Sequence, residues 1–472
     1  MCFFKKISCL VITSILLSSL SAKDNNPHSI KFKIKGLSGD SVYYLANHFA
    51  EKYIIQDTAR LDSKEVITFN GSQQLKSGMY TLIQSGTPVF DFIVDQSQHF
   101  TIETDVSDIK KNMRIYGSDE NQKYYEYIRY VLARQDEVDQ LQSRLKAGMD
   151  NNDSFRILSD RILVVRLEMN SYKHMHFKQN PVTLLDKIFN AMDAIIVPPV
   201  PLLSNGRPDS TFDLRYLHLH YFDNYDFSDE RLLRTPILVN TMKFYLDNLS
   251  SQDPDSLSAS ADFIVEKSKC NKEAFKFVVY WITSTYEAMP VLGMEGVFVH
   301  MVEKYYKTGL VFWADPAEIA RLSRYASILK NILIGKFAAD LPMKDTAFHD
   351  LSLYSVRAKF TIVYFWDYAC SHCQIITPQL ISWYHKTGKS FGAEVFAVSC
   401  GNSDMEWKKY IKENKLDWIN VSNPDQIGES RRVYNVVETP KMFILDENKK
   451  ILCNRTLKAD QMDSFFDYLL KR

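Results

Sequence analysis

The sequence predicts a multidomain α+β protein: an N-terminal antiparallel β-sandwich, a middle all-α domain and a C-terminal α/β domain. Three observations carry this expectation. Apolar residues alternate at a period of two across residues 28–117, recur at three-and-four spacing across 118–330, and form interleaved strand and helix patterns across 334–472. A chain of 472 residues has room for about three domains of ordinary size. Its 46% hydrophobic and 13% aromatic content supplies their cores. Lys+Arg and Asp+Glu both number 57, and no block of like charge stands out, so no nucleic-acid partner is expected.

Residues 1–22 have the build of a secretory signal. Lys5 and Lys6 form a short positive region, Ile7 to Leu20 an apolar core, and Ser19 to Ala22 offer small residues before a cut at Lys23. Cys9 lies ahead of most of the apolar run, which argues against a lipoprotein cysteine. A membrane contact is expected only if this segment stays uncleaved, since no other stretch approaches ~18 uninterrupted apolar residues. The expected location is therefore the periplasm or cell envelope, where disulfides persist.

Strands are expected at Ile30 to Ile34, Ser41 to Leu45, Val66 to Phe69, Met79 to Ile83, Phe90 to Val94 and Phe100 to Thr104. Gly, Ser, Asp and Asn clusters separate them, the punctuation of a sandwich. After Gly117 the period changes. Tyr124, Tyr127, Ile128, Val131 and Leu132 share one helical face, and further helices fit Ser154 to Phe177, Val182 to Ala194, Thr235 to Leu249, Ser256 to Cys270, Lys272 to Met289 and Gly296 to Tyr306. Asp315 followed by Pro316 opens a last helix as N-cap and first helical residue. Beyond Lys336, strands are expected at Phe360 to Trp366 and Ala393 to Ser399, with a hairpin of Lys441 to Leu445 and Ile451 to Asn454. Helices fit Ser371 to His385, Met405 to Glu413 and Ala459 to Leu470.

The chemistry concentrates in one stretch. The apolar run Phe360 to Trp366 leads directly into Cys370-Ser-His-Cys373 and a helix. Two thiols at a strand-to-helix turn let one attack a disulfide and the other resolve it. The unpaired N–H groups of a helix N-terminus stabilise the thiolate, which is the nucleophile. Of the other five cysteines, Cys2 and Cys9 would leave with the signal, and Cys270, Cys400 and Cys453 are singletons.

Phe365-Trp366, Cys370-Ser-His-Cys373, Pro378 and Glu438-Thr-Pro440 before a strand resemble a thioredoxin fold. The strand and helix between Val395 and Trp418 resemble the insertion of the TlpA/ResA class of exported thiol-disulfide oxidoreductases. The sandwich and the stretch from Asp213 to Pro236 resemble domains of unknown function that precede such modules in envelope proteins. The resemblance implies that Cys370 is the nucleophile, Cys373 the resolving thiol, and the pair a redox-active disulfide when oxidised. It makes Pro440 the cis-proline facing the dithiol, Thr439 the residue whose backbone meets substrate, and Trp366 a neighbour of the thiols. His372 sits where an imidazole would favour the Cys370 thiolate, as in the strongly oxidising DsbA-type motif. Where such proteins usually carry a buried acid, this chain has Tyr364 and Ile376, with Asp367 close by. The implied partners are protein thiols and disulfides and an upstream redox protein, with no cofactor.

Other signals are weaker. His174-Met-His176 and His218-Leu-His220 lack acidic or cysteine partners at ligand spacing, so no metal is expected. Cys400 and Cys453, on or beside strands, fit small buried hydrophobes. The aromatic stretch Tyr216 to Phe227 suits either a ligand groove or a packing segment. A rival to the enzyme reading is an envelope binding or scaffold protein, with the dithiol domain as a docking or redox-sensing element.

Overall fold

The structure, a computed structural model, describes residues 27–37, 41–49, 51–146, 152–176 and 182–471. The signal-like segment, with Cys2 and Cys9, lies outside them. The chain packs as two compact units: Met1–Ala194 with Arg234–Pro236, and Ile195–Leu233 with Ile237–Arg472.

The first unit begins with eight strands: β1 (His28–Lys35), β2 (Val42–Phe49), β3 (Lys52–Arg60), β4 (Val66–Gly71), β5 (Gly78–Gln84), β6 (Thr87–Val94), β7 (His99–Asp105) and β8 (Arg114–Tyr116). They form two four-stranded sheets, ordered β4-β1-β7-β8 and β3-β2-β5-β6. The pairs are antiparallel except β1 with β7, which run parallel. Ile30, Phe32 and Ile34 point into the core, while Lys33 and Lys35 stay in water. Phe32 meets Phe69, Phe90 and Phe92 edge-on, the preferred geometry for buried rings. β3 and β8 were not expected. β3 exposes Tyr53, Ile54 and Ile55 together, so it carries no alternation to read. Helices α1 (Asp119–Lys146), α2 (Asn152–His176) and α3 (Leu184–Ala191) follow. Val138, Ile162 and Val165 form the seam between α1 and α2, with Arg161 paired to Glu137 at 2.7 Å.

The second unit opens with α4 (Phe212–His220), α5 (Ile237–Phe244), α6 (Pro254–Ser268), α7 (Lys272–Ala288), α8 (Glu295–Met301) and α9 (Pro316–Asn331). Single π turns extend α5 and α8 to Leu249 and Tyr306. Asp315 caps α9 by accepting from the Glu318 N–H. The aromatic stretch is a packing segment: Phe222 and Phe227 are buried, and Phe222 meets Tyr245 and Phe263.

The chain then builds β9 (Pro342–Asp345), β10 (Asp350–Ser352), β11 (Phe360–Trp366), α10 (Ser371–Trp383), β12 (Ala393–Ser399), α11 (Asp404–Glu413), β13 (Ile419–Ser422), α12 (Ile427–Val433), β14 (Lys441–Asp446), β15 (Ile451–Cys453) and α13 (Ala459–Leu470). These give one seven-stranded sheet ordered β10-β9-β13-β12-β11-β14-β15. Buried along its whole length, β11 runs parallel to β12 and antiparallel to β14. Ile362, Tyr364 and Trp366 face a core shared with Leu380 of α10 and Phe466 of α13, while Phe365 on the other face meets Tyr434 and Phe443. The multidomain α+β class is as expected. The short β9, β10, β13 and α12 were not anticipated.

Candidate active site

β11, an interior strand of the sheet, ends at Trp366, and the turn Asp367–Ala369 hands the chain to α10. The turn closes through the Cys370 N–H to the Asp367 carbonyl at 3.1 Å and the Ala369 N–H to Asp367 Oδ1 at 2.9 Å. The Asp367 carboxylate is thus tied to its own loop. Cys370 occupies the N-cap of α10 in extended conformation, and Cys373 lies one turn in. Both are free thiols; Cys370 is half-buried and Cys373 is 1% exposed.

The two thiols meet different surroundings. Cys370 Sγ donates to the Thr439 carbonyl at 3.2 Å. That carbonyl belongs to the Thr439–Pro440 peptide, which is cis. Burial alone would raise the Cys370 pKa. The Thr439 side chain and the N–H groups of His372 and Cys373, which favour the thiolate, outweigh it and hold the thiol below its ordinary value. Burial dominates at Cys373 and pushes it up to about 12, against the opposing Asp367 N–H at 3.5 Å and the Thr439 side chain. One helix terminus thus carries an acidified outer thiol and a protonated inner one.

His372 is exposed and reaches Cys370 through its backbone N–H. Trp366 is fully buried in the core cluster that includes Cys373, and its indole N–H has no partner among the described residues. Tyr364 and Thr377 share a hydroxyl hydrogen bond at 2.9 Å in this core, with both side chains buried. Burial holds the Tyr364 phenol well above its ordinary value, so it is not an acid at neutrality. Ile376 is half-buried against the same core. Cys400 is half-buried and Cys453 fully so, while Cys270 is exposed. Among the described residues, no three His, Cys, Asp or Glu side chains gather as metal ligands. His218 instead contacts Tyr245 and Ser260, His220 pairs with Asp223, and His174 pairs with Asp193.

Sequence reasoning passed over Thr456, whose hydroxyl donates to the Pro440 carbonyl at 3.0 Å. It also passed over Arg431, which donates to the Val436 and Val437 carbonyls, each at 3.1 Å, in the run leading to Thr439. Both hold the turn that faces the dithiol, and neither stands in a local pattern that would mark it.

A family model described as thioredoxin-like matches residues 358–451, and one for a domain of unknown function, DUF5106, matches 169–331. A thiol-disulfide oxidoreductase ResA of Bacillus cereus is 25% identical over 148 residues, covering 31% of this chain and 83% of that protein. The ResA of Bacillus thuringiensis is 25% identical over 139 residues, covering 29% and 78%. Among solved structures, a domain of a possible thiol-disulfide isomerase from Cytophaga hutchinsonii is 36% identical, covers 29% of this chain and 94% of that one, and has a TM-score of 0.28. Residues 358–451 belong to the thioredoxin-like family, and the chain is a relative of the ResA/TlpA-type thiol-disulfide oxidoreductases.

Proposed function

We propose that this protein is an exported thiol-disulfide oxidoreductase acting on protein disulfides through Cys370 and Cys373. The observation that carries the reading is the split dithiol at the head of α10, with Cys370 Sγ against the carbonyl preceding cis-Pro440. The Cys370 thiolate attacks one sulfur of a substrate disulfide, forming the Cys370 mixed disulfide and expelling the other sulfur as thiolate. Cys373 then attacks Cys370 Sγ. The Cys370–Cys373 disulfide forms, and the second substrate sulfur leaves as a thiol, taking up the Cys373 proton. Two electrons pass from the dithiol to the substrate, and the reverse sequence oxidises a substrate dithiol. Thr439 and Pro440 offer backbone to an extended substrate segment, Trp366 walls the pair from below, and His372 contributes its backbone N–H. An upstream dithiol or disulfide protein recycles the site. The signal-like residues 1–22 put this chemistry in the periplasm or cell envelope.

Reduction of insulin by the mature protein with dithiothreitol as recycling reductant tests the reading. Turnover that disappears in Cys370→Ala is expected. A wild-type chain that leaves insulin untouched, and is equally inert as a thiol oxidase, overturns it.

A further inference from the structure

Three consecutive residues connect the DUF5106 helices to the turn that faces the dithiol. Asn454 Nδ2 donates to the carbonyl of Ile332, at the end of α9, at 3.2 Å. Arg455 Nη2 donates to the carbonyl of Met289, after α7, at 3.0 Å and to Glu295 Oε1, at the start of α8, at 2.7 Å. Thr456 then holds the Pro440 carbonyl. The chain between 454 and 456 therefore grips the helical segment with two side chains and the cis-proline with the third.

The central pair is enclosed. The Glu295 side chain is 15% exposed and that of Arg455 28%. Glu295 Oε2 and Arg455 Nε are buried without partners among the described residues, so the contact is a single-pronged bridge rather than the two-pronged fork that arginine and carboxylate can form. Lys441, the residue after Pro440, lies within electrostatic range of both. Burial disfavours its charge and Glu295 supports it. Neutralising a carboxylate that lies between two cations leaves both without their shared counter-charge.

We propose that the helical segment sets the position of the Thr439–Pro440 turn through Asn454, Arg455 and Thr456, with Glu295 and Arg455 as positioning residues for protein substrates. The inference rests on the oxidoreductase reading for its use, but not for its physical content. A protein substrate must lay backbone along Thr439, whereas a small disulfide needs only the Cys370 thiolate. A shifted turn therefore harms the first more than the second, which feels it only through the Thr439 contact to Cys370.

The test uses the full mature chain with Glu295→Gln, and separately Thr456→Val, which cuts only the link to Pro440. Amide exchange at Glu438, Thr439 and Lys441 is expected to quicken about tenfold in both variants, because local opening is read directly by this measurement. The KM for insulin reduction is expected to rise about fivefold or more in both, while the rate constant of Cys370 with oxidised glutathione stays within about twofold. Unchanged exchange in Glu295→Gln overturns the coupling, and so does an equal loss toward insulin and glutathione disulfide. A wild-type chain inert both toward insulin and as a thiol oxidase removes the oxidoreductase reading instead, and the exchange arm still decides the coupling.

Discussion

The sandwich brings His48, Thr81 and Asp91 together across β2, β5 and β6, and the C-terminal domain brings Cys370, Cys373 and Thr439 together across α10 and the turn before β14. As residue types, the first set is the more suggestive, because a hydroxyl, an imidazole and a carboxylate make a catalytic triad. The geometry reverses that ranking. A triad places the carboxylate on one ring nitrogen and the nucleophile on the other. Here both partners meet the same nitrogen, His48 Nε2, with Asp91 at 3.1 Å and Thr81 at 2.9 Å. Thr81 moreover donates its proton to Asp91 Oδ1. The cluster is closed on itself and ties three strands together. The dithiol is open, because its two thiols have opposite surroundings and only one is buried. What separates a site from a polar contact is asymmetry between its members, not the list of side chains.

The sharpest way to break this comparison is to remove one member from each set. Cys370→Ala is expected to lower insulin-reduction kcat/KM by at least about 10³-fold, because no second thiol can form the mixed disulfide. Asp91→Asn should leave the same quantity within about twofold. A large loss from Asp91→Asn would mean that the sandwich takes part in the chemistry.

The asymmetry of the dithiol itself can be measured by alkylation. Cys370 lies below 9.0 and Cys373 near 12. That separation is at least about 10³-fold in thiolate fraction, and the weaker nucleophilicity of the more acidic thiol gives back about 20- to 30-fold. Iodoacetamide at pH 6 to 7 is thus expected to modify Cys370 at least about 30-fold faster than Cys373, as followed by peptide mass spectrometry. Equal rates, or the reverse order, would exchange the roles of the two cysteines.

How much of this was legible in the sequence follows from where each signal lives. β1 and β11 announce themselves, one by alternation and the other by an unbroken apolar run, because burial imposes the period. β3 does not, because it adds to a sheet edge with Tyr53, Ile54 and Ile55 all in water. The dithiol is readable since its members are two residues apart in sequence. Pro440 came only from resemblance, because nothing local ties residue 440 to residue 370. Glu295 and Arg455 meet across 160 positions, and no spacing rule reaches that far. Tyr364 was noticed as the wrong residue for a buried acid, but its partner Thr377 could not be, since only the packing of α10 on β11 joins them.

The polar row of the sandwich gives a smaller effect of the opposite kind. Burial raises the Asp91 carboxyl, but the hydrogen bonds from His48 and Thr81 outweigh it, and the folded-state pKa falls below the ordinary 3.8. A depressed carboxylate contributes stability that is fully present above the unfolded value and is lost as the pH falls through the folded one. Asp91→Asn should therefore cost about 1 kcal/mol at pH 7, at the low end for a charged hydrogen bond because the side chain is 37% exposed. In urea melts the gap between variant and wild type should narrow below pH 3.8. A gap that stays constant down to pH 2 would show that Asp91 acts by shape and not by charge.

The smallest expected effect tests the floor of the dithiol. Tyr364 stands where a buried acid would take the proton of the resolving thiol, and its hydroxyl lies against Thr377 at 2.9 Å. A phenol held above its ordinary value is protonated at neutral pH and cannot serve as that base. Its hydroxyl completes a buried pair, and Thr377 can turn to the carbonyl one helical turn back when the partner is removed. Tyr364→Phe is therefore expected to cost about 1 kcal/mol of stability and to change insulin turnover by less than about threefold. The single-turnover rate of Cys373 attack on a preformed Cys370 mixed disulfide isolates the step. If Tyr364→Phe slowed that attack tenfold or more, the phenol would be handling the Cys373 proton. A small change leaves proton release to the departing substrate thiolate, so the inner thiol works without an acid beneath it.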